Sequence, residues 1–138
     1  MVVTDQFTLS TTGFCDIHNI TEQVDRAVRT SGLTDGLVTV FTPSATSAIT
    51  TVEYESGMLA DFEALFERIA AQAWEYKHDA RWHDGNGFSH VRAALLGPSV
   101  SVPFSQGRLL LGTWQEIAFV DFDNRRRQRT IVVQMLGE

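Results

Sequence analysis

The chain has one cysteine, Cys15, so it can form no internal disulfide, and a single sulfur cannot build a thiolate zinc site. It has no apolar run near the ~18 residues that a membrane-spanning helix needs. The opening residues carry neither a basic n-region nor a long apolar h-region, so no signal peptide is expected and the cytoplasm is the expected compartment. Basic residues are in deficit. With 11 Lys and Arg against 17 Asp and Glu, the formal charge is −6, which argues against nucleic acid or an anionic membrane as a partner. The GxGxxG, P-loop, HExxH and GxSxG patterns are all missing.

What is present is an ordinary globular composition, 43% hydrophobic and 20% charged over 138 residues. That suits a single domain, residues 1–138, with a real core. Strand patterns fall on "DQFTLST", "GLVTVFT", "ATSAITTVEYE", "HVRAALLG", "SVSVPF", "GRLLLG", "WQEIAFVDF" and "RTIVVQML". Two segments have helical periodicity. In "NITEQVDRAVRTSG", Asn19 suits a cap with Glu22 completing a capping box, Gly32 suits the stop, and Ile20, Val24, Ala27 and Val28 form an apolar stripe. In "LADFEALFERIAAQAWE", the stripe is Phe62, Leu65, Phe66, Ile69, Ala70 and Ala73. The fold class expected is α+β, a mostly antiparallel β-sheet or sandwich with two helices packed against it.

The chemistry concentrates in "YKHDARWHDGNGFSH", which holds three of the four histidines. His78, Asp84 and His90 could supply three ligands to Mg²⁺ or Zn²⁺ if the "DGNG" turn folds back, although their spacing matches no metal signature. Acid–base work or hydrogen bonding to a ligand is the leading reading of these histidines, and metal the lesser one. "DGNG" itself reads as a turn with no helix after it. His83 reads as a loop residue and His18 as structural. On the strand expected for "HVRAALLG", His90 and Arg92 share a face, which makes a pocket for an anion. Glu53 and Glu55 share a face in the same way. Gln115, after Trp114, could add an amide to the pocket. "NRRRQR" reads as a solvated hairpin turn whose charge Asp121 and Asp123 offset.

The blocks "ITTVEYESG", "DGNGFSHVRAALLGPS" and "GRLLLGTWQEIAFVDFDNRRRQRTIVVQMLGE" resemble the YjbQ family over nearly the whole chain. The resemblance implies a compact β-rich domain, a homotrimer, and a weak thiamine-phosphate synthase activity. That reaction joins a hydroxymethylpyrimidine diphosphate to a thiazole phosphate. His78, Asn86 and His90 match family positions, Glu53 matches an acidic one, and Ser44, Thr46 and Ser47 fall in a polar motif. Under this reading His78, His90 and Glu53 are catalytic, with Asp84 or Glu53 helping to hold a cation. Ser44, Thr46, Ser47, Asn86, Arg92, Trp114 and Gln115 bind a small phosphorylated molecule, and Trp114 or Trp82 stacks a flat ring. The sequence departs from the commonest pattern at Ser44 and Phe88, where many members have histidine, so metal is expected to bind more weakly here. Two alternatives stand beside the synthase: a non-catalytic trimer that binds a small ligand or metal, and a hydrolase or isomerase of an unknown phosphorylated metabolite.

Overall fold

The computed structural model describes residues 1–138. Its strands are β1 (Val2–Thr11), β2 (Asp16–Asn19), β3 (Gly36–Phe41), β4 (Ser47–Val52), β5 (Ser99–Ser105), β6 (Arg108–Leu109), β7 (Glu116–Asp121) and β8 (Arg127–Gly137). The helices are α1 (Thr21–Thr30), α2 (Ser56–Ile69), α3 (Lys77–Trp82) and α4 (Gly87–Leu96). All strand pairs are antiparallel, in a five-stranded sheet of order β1-β8-β3-β5-β6 and a three-stranded sheet of order β2-β7-β4. The α+β class is as expected, with four helices instead of two.

Strand alternation builds two cores. Ile117 and Phe119 of β7 and Ile49 of β4 face the larger core, with α1 and with Val38, Val40, Val102, Ile131, Val133 and Met135 of the five-stranded sheet. One residue out of phase, Val120 and Ala48 turn to the opposite face, where Phe122, Phe66 of α2 and Ala93 of α4 join them. The three-stranded sheet is therefore buried on both sides. That explains why β7 reads as a continuous apolar run.

The α1 stripe is buried as expected, and Gly32 takes the left-handed conformation beyond the helix end. The capping box does not form. Ile20 occupies the cap, and Asn19 Oδ1 accepts from Thr21 N at 3.1 Å. The α2 stripe is only half used: Phe66 and Ala70 are buried, whereas Leu65, Ile69 and Ala73 are exposed. Phe66 reaches deepest, its ring 4.9 Å from that of Phe122, with Phe62 half-buried against it.

The largest departure is α4. "HVRAALLG" is helix, not strand, and "DGNG" runs directly into it. Phe88, Arg92 and Ala93 form its buried stripe. A helix rotates about 100° per residue, so His90 and Arg92 point to different sides. The shared face expected of them does not exist. β4 stops at Val52, so Glu53 and Glu55 do not share a strand face either; Glu55 caps α2, accepting from Gly57 N and Met58 N.

Gly87 sets how closely α4 approaches α3. A Cβ there would stand 2.5 Å from Tyr76 Cβ and 3.0 Å from Asp79 Oδ1. Gly87→Ala is expected to cost about 1–3 kcal/mol through this overlap, read as a lower melting temperature. An unchanged melt would show that α3 moves aside freely.

Candidate functional site

Three carboxylate and imidazole side chains meet where α3, the following turn and α4 come together. His78 Nδ1 is buried and has no hydrogen-bond partner. It lies 3.5 Å from Asp84 Oδ1 and 3.7 Å from Asp79 Oδ1, too far for a good hydrogen bond to either. Ligands held tetrahedrally at about 2.0–2.1 Å from a metal stand about 3.4 Å apart. The spacing therefore fits a shared cation better than a shared proton. The ligand atoms of His78, Asp79 and Asp84 lie within 4.8 Å of one another.

The fold-back turn aligns this cluster. Asn86 N donates to Asp84 Oδ1 at 3.2 Å, and Gly85 takes a positive φ of 64°. Asp79 Oδ1 accepts from Gly87 N at 2.8 Å, so the start of α4 is already occupied by a carboxylate. The result places the His78 and His90 rings with centroids 4.3 Å apart. Asp79 was not singled out in the sequence. Its only signal is its place beside His78, because its role depends on a turn closing eight residues later.

Burial first, and then the charge of His78, hold the His90 imidazole below its ordinary value, against the opposing pull of Asp84, Asp123 and Asp79. In the metal-free protein His90 should titrate below about 6.5. His78→Ala should move it back up, a change measurable by NMR of the ring protons. The sign for stability follows. The depressed folded-state value means that His90's contribution is complete above about 6.5 and is lost as pH falls through the folded value. A His90 midpoint at or above the ordinary value would contradict the geometry.

Beside His90 lies an open depression of about 420 Å³ lined by Ser44, Ser47, Ala93 and Ala94. Ser44 Oγ accepts from Arg129 Nη1 at 2.9 Å, and the Ser47 and Thr42 hydroxyls share a 2.8 Å hydrogen bond. Thr46 is buried and donates to Asp123 Oδ2 at 2.9 Å, so it serves the scaffold. Arg129 makes a bidentate pair with Asp121 at 2.7 and 2.9 Å, and Arg127 pairs with Asp123. The carboxylates before "NRRRQR" thus offset its last two arginines as expected, but these two lie in β8, and Arg129 is largely buried and not part of a solvated turn.

Several expected members lie elsewhere. Arg92 is 1% exposed, donates from Nε to Ala70 O at 2.9 Å and from Nη2 to Glu67 Oε2 at 2.8 Å, and lies over the Phe88 ring. It is a core residue that ties α4 to α2, so its assignment to an anion pocket is corrected. Asn86 Oδ1 accepts from Ser89 Oγ and Asn124 N, clamping α4 to the β7–β8 turn. Glu53, Trp114 and Gln115 line a separate depression with Thr51. Their end of β4 lies beyond Val52, about 17 Å from Ser47 along the strand. Within one chain they do not join His78 and His90. His18 is fixed by Asp16 at 2.8 Å, and His83 ends α3 exposed. Burial, followed by the charge of Glu63, pushes the Cys15 thiol up to about 12, so it is no nucleophile near neutral pH.

The family described as UPF0047 protein YjbQ-like matches residues 5–138. A UPF0047 protein of Archaeoglobus fulgidus is 43% identical over 127 residues, covering 92% of this chain and 97% of the relative. The UPF0047 protein YugU of Bacillus subtilis is 32% identical, covering 94% of this chain and 96% of its own. Among solved structures, a YbjQ-like protein of unknown function from Sulfolobus solfataricus P2 superposes with a TM-score of 0.94. It is 33% identical and covers 100% of this chain and 99% of its own.

Proposed function

The chain belongs to the YjbQ-like UPF0047 family, and on that premise we propose that His78, Asp79, Asp84 and His90 form a divalent-cation site acting on a small phosphorylated molecule. The observation that supports it is the buried, unpartnered His78 Nδ1 facing two carboxylates at ligand spacing. An imidazole with carboxylates suits Zn²⁺ or Mn²⁺ better than Mg²⁺, which prefers all-oxygen shells.

The reaction proposed is the one the family resemblance implies, formation of thiamine phosphate. The thiazole ring nitrogen bonds to the methylene carbon of the hydroxymethylpyrimidine diphosphate, its C–O bond breaks, and pyrophosphate leaves as an anion. A bound cation supplies positive charge to the departing oxygens. The chain's own residues hold and orient: Ser44 offers a hydroxyl beside His90, and the neutral His90 imidazole can hydrogen-bond the ligand. The test is to supply both substrates with and without Zn²⁺, Mn²⁺ or Mg²⁺ and to measure thiamine phosphate and pyrophosphate together. Cation-dependent release of both in equal amounts supports the reading. Binding without turnover would assign the site to capture alone.

A homotrimer is part of the same proposal. Leu65 and Ile69 on α2, and Val91 and Leu95 on α4, are exposed apolar pairs at i,i+4, and the outer edge of β1 is unpaired over ten residues. Light scattering at micromolar concentration should give three times the chain mass. A monomer alone would contradict it.

A further inference from the structure

We propose that the cleft formed by Trp74, Glu75, Tyr76, Lys77 and Asp79 binds the flat nitrogen heterocycle of a phosphorylated substrate whose phosphate lies at the neighbouring His78 cluster. This rests on the cation-site reading above and adds where the rest of the substrate lies.

The cleft measures about 540 Å³ and shares Asp79 with the cluster, so the two are contiguous. Its shape is set by a short pinned turn. Ala71 O accepts both from Trp74 N at 3.3 Å and from Tyr76 Oη at 2.8 Å, with Ala70 and Ala71 buried beneath. The turn holds the Trp74 indole outward, 52% exposed. The base of the Tyr76 side chain packs against Gly87, and its Oη bond to Ala71 O ties down the far end of the ring. A tryptophan with a free face on a fixed turn is a stacking platform, and an indole attracts electron-poor or cationic rings most strongly.

The charges around it are complementary to such a ligand. Glu75 offers a carboxylate to an exocyclic amine. Lys77 is the only lysine among the chain's 11 basic residues, it is exposed, and it makes no ion pair within the chain. Lys77 lines the cleft, so its unpaired ammonium is free to meet an anionic group of a ligand bound there. Trp114, the ring-stacking residue expected from the sequence, lies at the far end of β4 and cannot reach this junction in the same chain.

The test uses two probes in the presence of Zn²⁺ or Mn²⁺: thiamine phosphate, which carries rings and phosphate, and inorganic pyrophosphate, which carries phosphate alone. Affinities are measured by calorimetry, with a thermal melt for each variant. Trp74→Ala should weaken thiamine phosphate about 10- to 100-fold, the effect of losing one ring–aromatic stack, and leave pyrophosphate unchanged. His78→Ala should weaken both. In a Trp82→Phe, Trp114→Phe double variant, Trp74 is the sole tryptophan, and its fluorescence should be quenched by thiamine phosphate but not by pyrophosphate. Three results would overturn the inference. If Trp74→Ala leaves thiamine phosphate unaffected while His78→Ala weakens both probes, the ring lies elsewhere and the cation site stands. If Trp74→Ala weakens both equally, Trp74 is structural. If His78→Ala leaves both unaffected, the cation-site reading fails first and takes this one with it.

Discussion

Replacing Arg92 by alanine should lower stability by about 2–4 kcal/mol, and the melting temperature by roughly 10 °C, without changing ligand affinity in the molecules that remain folded. The loss has two sources. The guanidinium fills space among Phe66, Phe88 and Phe122, and it satisfies Ala70 O just past the end of α2. Glu67 contributes little of it, because it is half exposed and can return to water. Arg92→Met should recover much of the packing and lose the carbonyl contact, so its melt should fall between the two. If Arg92→Ala instead folds normally and loses binding, Arg92 is a pocket residue and the packing described above does not govern its role.

The opposite pattern is expected at His78. Its ring carries the unpartnered nitrogen, and it is half-buried in the first turn of α3 beside His90 of α4, holding no hydrogen bond that the fold would lose. His78→Ala should leave the melt within about 0.5 kcal/mol of the parent. Metal affinity and any cation-dependent turnover should fall by about 100-fold or more, because removing a direct ligand costs more than the 10–100-fold typical of its supporting partners. Asp84→Asn should act in the same direction with a smaller effect, since an amide oxygen still binds weakly. A His78 variant with full turnover would remove the imidazole from the mechanism. A variant that fails to fold would make His78 a structural residue.

The contrast between these residues shows what could be read from the sequence. The α1 stripe and seven of the strands follow from periodicity, because burial on one face or two leaves a pattern in the chain. The helix α4 does not. Its run of Val, Ala and Leu suits a buried strand or a buried helix equally, and an arginine in the middle of the buried stripe disguises the helical period. The rings of Phe66 on α2, Phe88 on α4 itself and Phe122 just after β7, together with Ala70 O and Glu67, make that position tolerable for a charge. The site was half visible. The sequence groups His78, Asp84 and His90 as candidates, and the "DGNG" turn does bring them together. Asp79 escaped because its carboxylate acquires a role only when Gly87 N arrives beside it. Glu53 is grouped with the histidines by its match to a family position, and Trp114 and Gln115 by their chemistry, but β4 and β7 run their full length between the two sets.

Phe88 and Ser44 show the same limit. Phe88 stands where many family members are expected to have histidine, yet here it is 2% exposed and stacks on Phe14, so it belongs to the core beneath α4. Ser44 stands at the other such position and lies in the same depression as His90. One departure therefore removes a side chain from the site's edge, and the other falls inside the packing.

The most direct measurement is calorimetric titration of chelator-stripped protein with Zn²⁺ and Mn²⁺, paired with elemental analysis of the re-loaded protein. One ion per chain should bind, its affinity should collapse in His78→Ala, weaken in Asp84→Asn, and stay unchanged in Glu53→Gln at the far end of β4. Absence of binding at millimolar metal, or binding that survives in His78→Ala, would contradict a cation site at His78, Asp79, Asp84 and His90.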